Sequence, residues 1–97
     1  MDSIHDEKEI FAIVRRIEKE IYERKPDLKM IKRKKCEYGN NFPLMALLMG
    51  CTEIEAVERM YKMKIARIYG NEAHDDSWID AANYYWIATH YNEYVSL

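Results

Sequence analysis

The stretch TEIEAVERMYKMKIARIYG, residues 52–70, decides the fold. Thr52 and Glu55 stand three residues apart at its start. That is the spacing of a capping box, in which a hydroxyl and a carboxylate each satisfy a backbone N–H of the first turn. Ile54, Val57, Tyr61, Ile65 and Ile68 then recur every three or four residues, which predicts one buried stripe on a helix. Gly70 is the natural terminator. No stretch elsewhere reads as a strand, so the chain is expected to be all-α.

Upstream, Phe42 to Met49 is apolar nearly all round and is expected to be a buried helix, with Asn41 as its cap, Pro43 near its first position and Gly50 at its end. Before it, a short helix from Asp27 to about Cys36 is expected to lead into a turn at Gly39-Asn40. Further back, Ile10, Phe11, Val14, Ile17 and Ile21 keep helical spacing, Asp6, Glu7 and Glu9 suit the positive end of a helix dipole, and Pro26 stops the chain. Helix one therefore covers about Asp6 to Arg24. Downstream of Gly70, a loop closes with Asp75 and Asp76, and a last helix runs from Asp76 or Ser77 to about Tyr94. These readings give one domain, residues 1–97, built as a compact bundle of three long helices and one or two short ones.

The chain has 97 residues, a third of them charged and about half apolar, which is the balance of an ordered domain with one core. A formal charge of −2 excludes nucleic-acid binding by bulk charge. Eight tyrosines and six methionines imply amphipathic surface that a ligand or a second copy covers, so a homo-oligomer is expected. Cys36 and Cys51 form no C-x-x-C unit and read as two free thiols in a reducing cytoplasm. The polar, acidic start and the absence of an apolar run of ~20 residues predict a cytoplasmic protein with no membrane partner.

Three places offer chemistry. Asp76 and Asp80 lie four apart on one helical face, where like charges repel, so a cation, a basic side chain or solvent must compensate. Asn83 continues that polar line one turn further. The set suits magnesium or the hydroxyl and amino groups of a ligand. As structure alone, Asp76 or Ser77 would cap the helix and Asp80 would favour its dipole. Lys64 and Arg67 have no acidic residue four positions earlier, unlike Arg59 and Lys62, and so are expected to contact phosphate. Tyr38 and Phe42 beside Gly39 could stack on a base, with Asn41 reading an amide-like edge; the plainer reading buries Phe42 and uses Asn41 as a cap. His74 in His-Asp-Asp lacks the partner histidines of a metal phosphohydrolase, and there is no P-loop and no nucleophile elbow.

Residues 36–91 resemble small phage-encoded proteins of unknown function, through Cys36-Glu-Tyr-Gly-Asn-Asn-Phe42, then Met63-Lys-Ile-Ala-Arg-Ile68, then His74-Asp-Asp-Ser-Trp-Ile-Asp-Ala-Ala-Asn-Tyr84. That group is similar to the nucleotide-modification-associated domains and, more distantly, to MazG-like all-α nucleoside triphosphate pyrophosphohydrolases. The resemblance implies nucleotide-related work in a host cytoplasm. MazG-like enzymes hold magnesium on a Glu-Glu-x-x-Glu helix and a later Glu-x-x-Asp helix. Glu55 and Glu58 match part of the first, while Asp76 and Asp80 stand where the second would be, spaced by four rather than three.

Three functions follow as expectations. The first is a nucleotide binder that sequesters a host immune signal, with Lys64 and Arg67 on phosphate, Asp76, Asp80 and Asn83 on base or sugar, and Tyr38 or Phe42 stacking. The second is a magnesium-dependent pyrophosphohydrolase with Glu55, Glu58, Asp76 and Asp80 on the metal. The third is a protein-interaction module that uses the aromatic C-terminal helix, Trp78 to Tyr94, as its face.

Overall fold

The capping box at Thr52 forms as its spacing requires: the Thr52 hydroxyl accepts from the Glu55 N–H, and the Glu55 carboxylate accepts from the Thr52 N–H at 2.9 Å. It opens α4 (Glu53–Gly70). The structure, a computed structural model, describes residues 6–97, with the backbone alone for 36–40. The other helices are α1 (Glu7–Glu23), α2 (Leu28–Arg33), α3 (Lys35–Met49), α5 (Asp75–Thr89) and α6 (Tyr91–Val95). Among the described residues, four long helices and two short ones stand where three long and one or two short were expected, and no strand is present.

α5 folds back along α4 after a loop of four residues, α1 lies across both, and α3 packs on α4. Ile17 and Ile21 of α1, Val57, Ile65 and Ile68 of α4, and Trp78, Ala81 and Ile87 of α5 form the centre of the core. The predicted stripe of α4 is buried except at Ile54, which is exposed in a cleft beside the end of α5 and the start of α6. Where α1 crosses, the phenols of Tyr22 and Tyr61 both donate to Glu18 Oε2, at 3.3 and 3.4 Å. Burial is the main cause that holds the Tyr61 phenol far above its ordinary range.

Two expected boundaries move. The turn at Gly39-Asn40 is absent: α3 is already helical from Lys35, so Asn41 caps nothing and Pro43 lies inside the helix. Lys34 joins α2 to α3. The expected burial of 42–49 is also only half right. Phe42 and Ala46 are buried, whereas Leu44, Leu47, Leu48 and Met49 are exposed. The last helix breaks at His90. The His90 N–H still donates to the Trp86 carbonyl at 2.8 Å, but the His90 backbone then leaves the helical region, and the Thr89 hydroxyl adds bonds to the carbonyls of Tyr85 and Trp86 in the last turn. No helix among the described residues is long and apolar enough to cross a membrane.

Candidate functional site

The loop that joins α4 to α5 is held by hydrogen bonds at Asn71 and Glu72. Asn71 Oδ1 accepts from the Ala73 N–H, and the Glu72 carbonyl accepts from the Trp78 indole at 2.8 Å. The Glu72 carboxylate takes a two-pronged contact from Arg16 of α1, at 3.0 and 2.7 Å. That contact keeps Glu72 ionised to lower pH than an ordinary carboxylate, with the hydrogen bond from Arg16 as the first cause. His74, not Asp76 or Ser77, takes the cap position of α5. Asp75 and Asp76 lie in its first turn, where the dipole favours them.

The repulsion between Asp76 and Asp80 is met by a basic side chain. Lys64 Nζ donates to Asp80 Oδ2 at 3.0 Å, with the two side chains 12% and 25% exposed. The two hairpin helices thus bring Lys64 and Asp80 together, and each satisfies the other. Arg67, one turn on, is exposed, as is Asp76. Asn83 is 2% exposed. Its Oδ1 accepts from the Asp27 N–H at 2.9 Å, which fixes the start of α2 against α5, and its Nδ2 donates to Met30 Sδ at 3.4 Å. Phe42 is in the core, its ring 6.3 Å from that of Tyr84, and presents no face to a base. Asn41 is exposed. Tyr38 and Cys36 lie outside the described side chains.

The four carboxylates of the metal reading do not meet within one chain. Glu55 is turned onto the Thr52 N–H. It precedes Lys64 by nine residues, which at ~1.5 Å per residue sets it ~13 Å along the helix from the level of Asp80. Glu58 precedes Lys64 by six residues and stays ~9 Å away on the same measure. Among the described residues no three His, Cys, Asp or Glu side chains form a set that could hold a metal ion. Of the C-terminal aromatic residues, Trp78, Tyr84 and Tyr94 are buried, whereas Tyr85, Trp86 and Tyr91 are half-buried, and Trp86 stacks on the exposed His90 at 4.9 Å.

Sequence spacing did not single out the cleft where α1 ends. It has a volume of about 250 Å³, with Arg24, Lys25 and Asp27 at the rim and Ile79, Ala82 and Asn83 in the wall. The Arg24 guanidinium rests 4.9 Å over the Trp78 ring. Lys25 makes no ion pair among the described residues. Asp27 Oδ1 is engaged by the Met30 N–H at 3.0 Å, as the cap of α2. Only the Arg-Lys-Pro run that stops helix one hinted at this arrangement, and its cations come to line the same cleft as Asn83 through the fold alone. Compared with protein families, with curated proteins and with solved structures, the chain matches none.

Proposed function

We propose that the chain binds a phosphate-bearing small molecule, a nucleotide by class, with its anionic end in the cleft of Arg24, Lys25 and Asn83. The observation that carries this reading is the Asn83 amide. It is buried in the cleft wall, and its nitrogen has for acceptor a thioether sulfur, among the weakest that proteins contain. A phosphate oxygen would accept from it far better. Arg24 supplies a planar fork and Lys25 a point charge, the two modes by which proteins hold phosphate. Asp27 opposes an anion, but two cations outweigh one carboxylate that is itself occupied at α2. The volume lies just under the ~300 Å³ at which small-molecule sites begin, so the cleft takes the phosphate end while the rest of the ligand lies along the surface. Asn83, expected on base or sugar, serves the phosphate end instead; Arg24 and Lys25 take the phosphate role expected of Lys64 and Arg67.

The test is thermal unfolding of the full chain with inorganic phosphate, a mononucleotide and the matching nucleoside, each with and without magnesium. Ligand that binds the folded state alone raises the midpoint by mass action. The mononucleotide should raise it and the nucleoside should not. Arg24→Ala with Lys25→Ala should erase the rise, and Arg67→Ala should leave it. No rise with any nucleotide, or one that survives the double substitution, overturns the proposal.

A further inference from the structure

The second half of α3 is apolar on two opposite sides. Phe42 and Ala46, four apart, face the core. Leu44, Leu47 and Leu48 stand at the i, i+3, i+4 spacing that aligns side chains in one stripe, on the other side of the helix. Their exposures are 53%, 78% and 76%. A helix apolar all round belongs to an interior, and α3 has an interior on one side only. The stripe is also the part of the surface without charge: no Asp, Glu, Lys or Arg occurs between Glu37 and Glu53.

We propose that the outer face of α3 is the contact surface between two copies of this chain, packed helix on helix about a two-fold axis. With the axis beside Leu47, the most exposed residue of the stripe, residues there meet their own counterparts, so a charge at that place would meet a like charge. This segment has none to repel. The face is a convex row on a single helix rather than a groove, which suits the ridge of an identical helix at ~8–10 Å between axes better than an extended peptide. Area sets the strength. A stable pair needs roughly 800 Å² from each partner, about an eighth of the chain's 6657 Å². The described part of the face, Leu44 to Leu48, supplies at most roughly half of that. The dimer is therefore concentration-dependent rather than permanent.

Sedimentation equilibrium of the full chain, without nucleotide, reads this directly. The mass should rise from 11.7 kDa at low micromolar concentration towards twice that value near millimolar. Leu47→Glu with Leu48→Glu should weaken association at least 100-fold and keep the helical circular dichroism, because neither side chain is in the core. Leu47→Cys, with Cys36 and Cys51 changed to Ser, should oxidise to a covalent dimer, since residues near a two-fold axis approach their own copies. A chain that stays monomeric up to millimolar concentration overturns the proposal. So does a dimer that the paired glutamates leave intact, or one that Leu47→Cys fails to cross-link.

Discussion

Asn83 is the residue whose loss tells most. Asn83→Ala would leave the Asp27 N–H without its acceptor in a partly buried place, at a cost of about 1–3 kcal/mol. Urea unfolding should show that loss, with α2 the first segment to exchange its amide protons. Lys64 and Asp80 make a second case. Lys64→Met would strand a mostly buried carboxylate and cost about 1–3 kcal/mol, whereas Lys64→Met with Asp80→Leu should recover most of it. A double-substitution cycle in urea measures the coupling. The need for a partner at Asp80 was legible in the sequence, since Asp76 and Asp80 are four apart. The identity of the partner was not, because Lys64 reaches it across the register of two helices, which local spacing does not encode. The same holds for Asn83, whose partners Asp27 and Met30 are more than fifty positions away.

Among the elements, α4 was readable from its cap and from the stripe Val57, Tyr61, Ile65 and Ile68, while its end was set one residue early: the helix runs through Gly70 and Asn71 takes the cap. Thr52→Ala should cost about 0.5–2 kcal/mol by thermal or urea unfolding, since it removes one half of the capping box. α3 was misread because Gly39, Asn40 and Pro43 all disfavour a helix, by about 1 kcal/mol for glycine and about 3 for an interior proline. Burial of Phe42, worth about 1.5–3 kcal/mol for a large apolar side chain, with Ala46 on the same side, helps tertiary packing to override that preference. The division of α5 from α6 also escaped the pattern. Aromatic residues continue towards the C-terminus past His90, while the backbone of His90 leaves the helical region after its N–H has closed the last bond to Trp86.

For the molecule as a whole, acid should act through two exposed carboxylates that the fold keeps ionised. Bonds from Thr52 hold Glu55 below the ordinary carboxylate value of 4.5, and Arg16 does the same for Glu72. A group with a lowered folded-state pKa contributes stability above its unfolded value and loses it as pH falls through the folded one. The melting temperature should therefore decline below about pH 4.5, less steeply in Glu72→Gln, and the two proteins should converge at strong acid. All-helical architecture was legible at this scale from composition and period together; the leucine face of α3 was not, because an apolar run looks the same whether its own chain or another covers it. One contact offers a practical return. The Arg24 side chain that borders the cleft also lies over Trp78, so an anion that draws it away would alter the indole's surroundings. Tryptophan emission should shift as a phosphate ligand is titrated in, and the response should vanish in Trp78→Phe while Trp86 still glows. The molecule would carry its own optical gauge of occupancy, with no dye attached.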